Sequence, residues 1–146
     1  MINKKYIFLS LIVLLGWVNS FGQQKEDFHG TWKVKQMIIA DELMPKGISE
    51  EQVAMTESFL RMLFFKAVFT FDQGGNARVE VQDPSKELDM ESVSWIYDSQ
   101  NKIIGIRDRE TKKSRLMDIG VKVEQGHYLF HILESPVILE VEKIKP

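Results

Sequence analysis

The sequence predicts an all-β fold: an eight-stranded antiparallel meander closed as a barrel, with one helix between strands 1 and 2. Three observations predict it. From Trp32 to Val141 the apolar residues mostly recur at every second position, the period of a strand with one face on a core. Turn-forming residues interrupt that pattern at intervals of roughly ten positions. One stretch, opened by Ser49, changes to a helical period instead.

The chain opens on a targeting pattern. Lys4 and Lys5 give a positive start, and Tyr6 to Val18 then runs almost wholly apolar. That run is too short to span a bilayer comfortably and fits the core of a secretory leader. Ser20 and Gly22 are small residues spaced for cleavage after Gly22. Residues 1–22 are therefore read as a signal peptide and residues 23–146 as one barrel domain. The expected location is the periplasm or the extracellular space. No later stretch is apolar enough to cross a membrane.

The strands follow in order. Trp32, Val34, Gln36, Ile38 and Ala40 alternate with Lys33 and Lys35 and are expected to face the core, which leaves Met37 and Ile39 outside. Pro45-Lys46-Gly47 ends that strand. Ser49 with Gln52 three residues on is a capping box. The helix it opens, Ser49 to Lys66, carries a broad apolar stripe through Val53, Met55, Phe59, Leu60, Met62, Leu63 and Phe64, which needs a cover. Ala67, Phe69 and Phe71 resume the period of two. Gln73-Gly74-Gly75-Asn76 is a tight hairpin turn, because glycine accepts positive φ. Ala77, Val79 and Val81 form the next inward set, and Asp83-Pro84-Ser85 begins a longer loop. Val93, Trp95 and Tyr97 follow, then a turn at Asp98-Ser99-Gln100-Asn101. Ile104 and Ile106 lead to a charged tip, Arg107 to Arg115. Met117, Ile119, Val121 and Val123 make another strand. Gln125-Gly126 turns into Tyr128, Phe130 and Ile132, and Ser135-Pro136 into Val137, Leu139 and Val141. Eight such strands fit an up-and-down barrel or a two-sheet sandwich. Closure has the merit of removing the exposed edges.

Composition narrows the function classes. There are no cysteines, which excludes disulfides and zinc–thiolate sites. Loss of Lys4 and Lys5 with the leader takes the 19 basic residues to 17 against 21 acidic ones. A mildly acidic domain offers no electrostatic case for nucleic acid.

Phe28-His29-Gly30-Thr31-Trp32 resembles the Gly-X-Trp opening of lipocalin and calycin barrels. Phe69-Thr70-Phe71 before a glycine turn, and Trp95-Ile96-Tyr97 after it, are similar to small bacterial exported lipocalin-like proteins over roughly Phe28 to Ile144. The resemblance implies that Trp32 closes one end of the barrel and that a basic residue of the last strand, here Lys143, packs across it. A lysine stem on an indole is worth on the order of 0.5–2 kcal/mol. The helix after the first strand and the short chain depart from larger lipocalins, which weighs against a roomy cavity.

No catalytic motif stands out. There is neither a nucleophile elbow nor a phosphate-binding glycine loop. The chain is expected not to be an enzyme and to carry no cofactor. His127 and His131, four apart on one strand, stand about 13 Å from each other and cannot share a metal ion. The charged tip from Arg107 reads as a solvated hairpin, with a polyanion-binding loop as the alternative.

Two readings of function remain open. In one, a small hydrophobic ligand sits inside the barrel among Gln36, Phe59, Phe69, Phe71, Trp95, Tyr97 and Tyr128, under the helix, in a cavity of about 300 Å³ or more. In the other, the barrel is filled and serves as a protein–protein interaction module with an unknown partner. Met37, Ile39, Ile138 and Ile144 would then form the apolar outer face.

Overall fold

The computed structural model describes residues 22–82 and 90–146. The leader up to Phe21 and the loop opened by Asp83-Pro84-Ser85 lie outside the described residues. Eight antiparallel strands close into a barrel in sequence order: β1 (Gly30–Ile39), β2 (Val68–Phe71), β3 (Asn76–Glu80), β4 (Met90–Asp98), β5 (Ile103–Arg107), β6 (Arg115–Glu124), β7 (His127–Ile132) and β8 (Val137–Ile144). β8 pairs back onto β1, so every strand has two neighbours. One helix, α1 (Glu50–Phe64), connects β1 to β2.

Alternation puts one residue in two inside. Phe69, Phe71, Val79, Trp95, Ile104, Ile106, Ile119, Phe130, Val137 and Leu139 are all at most 1 % exposed. These side chains meet across the barrel axis and fill it, which an eight-stranded barrel just allows.

The first strand departs from simple alternation. A bulge between Val34 and Gln36 lets β1 slip by one residue against β8. An extra residue flips every later side chain to the opposite face. Beyond it Met37 and Ile39 pack against the core, while Gln36 and Ile38 are exposed. The inward placement expected of Gln36, and the outward placement of Met37 and Ile39, are thus reversed.

α1 begins where the capping box places it. Ser49 Oγ accepts from the Gln52 N–H at 3.2 Å, and Gln52 Oε1 accepts from the Ser49 N–H at 2.9 Å. Its C-terminal turns close one end of the barrel through Leu63 and Phe64, with Leu60 beside them. The rest of the stripe is uncovered: Met55, Phe59 and Met62 are between 49 % and 68 % exposed. The expectation of a fully covered helix fails because α1 touches the barrel along one flank near its end. Among the described residues nothing covers the flank that carries Met55, Phe59 and Met62.

Three carboxylates organise the tight turns. Asp72 accepts from the Asn76 N–H at 2.8 Å and from its side-chain amide at 3.0 Å. Asp98 takes the Gln100 and Asn101 N–H groups and the Asn101 amide, and Asp108 those of Glu110 and Thr111. These donors hold all three carboxyls below their ordinary range: chiefly the Asn76 backbone for Asp72, the Asn101 side chain for Asp98 and the Thr111 backbone for Asp108. A depressed carboxyl favours the folded state above its unfolded pKa of about 4 and loses that contribution as pH falls through the lower folded value. Thermal melts at pH 7 and pH 3 should therefore show a drop that shrinks in the triple variant Asp72→Asn, Asp98→Asn, Asp108→Asn. An undiminished drop would place the acid sensitivity elsewhere.

Candidate functional site

A short 3-10 turn, Lys25–Phe28, precedes β1 and closes the end of the barrel opposite α1. The Asp27 carboxylate accepts from the Gln24 N–H at 2.8 Å and steadies the turn. Phe28, fully buried, plugs the barrel mouth. Its ring lies 4.7 Å from Tyr97, 6.3 Å from Trp32 and 6.4 Å from Tyr128, centroid to centroid. The Trp32 indole N–H donates to the Phe28 carbonyl at 3.0 Å, so the plug is tied to the first strand.

Lys143 lies across this end. Its Nζ stands 5.6 Å from the centroid of the Trp32 ring and donates to the Asp27 carbonyl at 3.2 Å. Gly30 makes the approach possible. It sits at φ +117°, and a Cβ there would come within 2.9 Å of Lys143 Cε. The Gly-X-Trp pattern thus has a physical basis: the glycine bends the chain from plug to strand and leaves room for the lysine stem.

The residues expected to surround a ligand divide into three groups. Phe69, Phe71 and Trp95 are in the core and touch other side chains. Phe71 is 5.0 Å from Trp95, and Phe69 is 5.7 Å from Phe130. Trp95 is further held by its N–H to the Asp72 carbonyl at 3.0 Å and by Lys25 Nζ 4.8 Å from its ring. Tyr97 and Tyr128 are half-buried at the plug end, around Phe28. Burial, with Asp27 and Asp98 nearby, pushes the Tyr97 phenol up, and among the described residues its Oη has no hydrogen-bond partner. Gln36 and Phe59 stand outside: the bulge turns Gln36 to the outer wall, and Phe59 is on the uncovered flank of α1, half exposed.

The three histidines go separate ways. His29 packs edge-on to Trp95, His127 Nδ1 lies 2.9 Å from Glu140, and His131 Nε2 lies 3.0 Å from the Ser135 carbonyl. Among the described residues no three His, Asp or Glu side chains are grouped to hold a metal ion. At the charged tip Arg107 and Arg115 are already engaged. Arg107 meets Asp118 at 2.7 Å, and Arg115 bridges Asp118 and Glu134.

On the outer wall, sequence reasoning named Ile138 and Ile144 but missed Ile38 and the row that joins it to Ile138. The strand registers align Ile38, Ile138, His131, Gly120 and Ile103 in one row across β1, β8, β7, β6 and β5. Gly120 leaves a dip in that row. A groove of about 460 Å³ runs past it, lined by Ile38, Ile138, Leu129 and His131 with Lys102 and Lys122 at its margins. A second cleft, of about 330 Å³, lies by the plug end between Asp27, Lys35, His127 and Glu142. Both open to the outside. In the sequence Ile38 and Ala40 keep the parity of Trp32 and Val34, so only the pairing with β8 reveals the bulge that turns Ile38 outward.

No family model matches this chain, and no curated protein matches it. Among solved structures it is similar to a DUF4847 family protein from Bacteroides vulgatus, with a TM-score of 0.44 and 12 % identity, over 83 % of this chain and 99 % of that chain. Among the described residues no helix is long and apolar enough to cross a membrane.

Proposed function

We propose that this chain is an exported, non-catalytic barrel of lipocalin-like type that works through its outer surface, as a protein–protein interaction module of the cell envelope. The filled interior carries this reading. The aromatic residues that would line a ligand cavity instead contact one another at ring separations of 4.9 to 6.5 Å. A small apolar guest would have to displace side chains that are already fully desolvated. Meanwhile Ile38, Met55, Phe59, Met62, Phe65 and Ile144 are 42 % to 68 % exposed on the outside. A contiguous exposed apolar patch marks an interaction site, and Met55, Phe59 and Met62 lie together on one flank of α1. Export rests on the N-terminal pattern alone.

Native mass spectrometry of the protein taken from its own cells tests the proposal. The expected species begins at Gln23 and carries no bound small molecule, and added fatty acid leaves Trp32 and Trp95 fluorescence unchanged. A reproducible adduct of a few hundred daltons would overturn the outward-acting reading in favour of a carrier. A species that retains residues 1–22 would overturn export by a cleaved leader.

A further inference from the structure

The uncovered flank of α1 has an order of its own. Glu51, Met55, Phe59, Met62 and Lys66 follow one another at spacings of four, four, three and four, which sets them in one line along the helix. All five are exposed. Phe65, the helical C-cap residue at φ −53° and ψ −34°, carries the turn on to Lys66. The line is apolar in the middle, acidic at the N-terminal end and basic at the C-terminal end.

That line is its own complement. Two copies of α1 laid antiparallel, with a two-fold axis between positions 58 and 59, set Glu51 against Lys66 of the other copy at both ends. Met55 then meets Met62, and the two Phe59 rings meet at the centre. The same arrangement opposes the helix dipoles, which favours it further. A two-fold interface must be self-complementary, and this stripe is so in both charge and apolar content. Methionine adapts readily to a facing aromatic ring.

We infer that α1 docks against α1 of a second copy of this chain, so that the protein forms a two-fold antiparallel dimer in solution. The contact leaves the barrel wall and its groove free. It does not depend on the outward-acting reading: a strictly monomeric protein would sink the dimer and leave that reading standing. Three half-exposed apolar side chains per copy fall short of the roughly 800 Å² per partner of a standard interface, so the dimer is expected to be weak, with a Kd in the micromolar range.

Sedimentation equilibrium of the protein from 5 µM to 500 µM tests the inference, with circular dichroism to show that each variant folds. The wild type should pass from monomer to dimer across that range, and Phe59→Glu should stay monomeric. Glu51→Lys and Lys66→Glu should each weaken the dimer about tenfold, because each turns two attractions into two repulsions. An equimolar mixture of those two single variants restores both attractions and should recover the wild-type affinity, as should the double variant. A monomer at 500 µM would overturn the inference. So would a dimer indifferent to Phe59→Glu, or charge variants whose mixture gains nothing. Equal monomeric behaviour of all forms, with binding to phosphatidylcholine vesicles lost in Phe59→Glu, would reassign the stripe to a lipid surface and overturn it as well.

Discussion

Replacing Phe28 by alanine should cost about 3–5 kcal/mol of stability, the usual loss when a fully buried aromatic side chain is truncated. For a domain of this size that lowers the melting temperature by on the order of 10 °C or more. Phe28 is the plug. Its ring touches Trp32, Tyr97 and Tyr128 and has no exposed surface. The void left behind would be bounded mainly by aromatic faces, and apolar voids of that kind stay dry and accept small aromatic molecules. The variant should therefore gain what the wild type is proposed to lack: saturable binding of benzene or toluene, visible as a recovery of melting temperature with added ligand. A loss under 1 kcal/mol would mean that the 3-10 turn frays without consequence and that the barrel mouth is closed by something else. A full loss without ligand rescue would mean that the mouth collapses over the gap.

Gly30→Ala should cost about 2–4 kcal/mol, for two separable reasons. At φ +117° an L-residue is strained whatever the space around it, at roughly 1–3 kcal/mol. The new Cβ would also meet Lys143 Cε at 2.9 Å. The lysine can yield only by leaving the Trp32 ring and the Asp27 carbonyl. Urea denaturation of Gly30→Ala, Lys143→Ala and the double variant separates the two. The double variant should lose less than the two single losses together, since truncating the lysine removes the collision but leaves the backbone strain. A strictly additive cycle would show that Lys143 swings away freely. A Gly30→Ala variant within 0.5 kcal/mol of wild type would sink both parts of the argument.

Much of the architecture was legible from residue order. The hairpin turns at Asp72–Asn76 and Asp98–Asn101, the capping box at Ser49 and the inward set from Phe69 through Leu139 are local patterns. Each is decided by neighbours a few residues away, so the sequence displays them. Strand count and turn spacing then leave few ways to connect the pieces, and the meander is the simplest. Trp32 and Lys143 come from opposite ends of the domain. Only the resemblance brought them together on paper; in space they are direct partners in the β1–β8 ladder.

The candidate site was legible only in part, and its misplacements share a cause. Gln36 and Phe59 were assigned inward by period alone. For Gln36 the period was broken by a bulge that exists only in the pairing with β8. For Phe59 the helical stripe was real, but its width exceeded what the barrel end could cover. Whether the inward aromatic side chains leave a cavity or fill it is likewise a question of packed volume, which no count of residues answers. Period is a property of one segment and is written in its residues. Which face meets water, and whether the space between faces is full, depends on neighbours brought in from the far end of the chain. A single extra residue in a ladder, or a flank without a partner, reverses the local pattern.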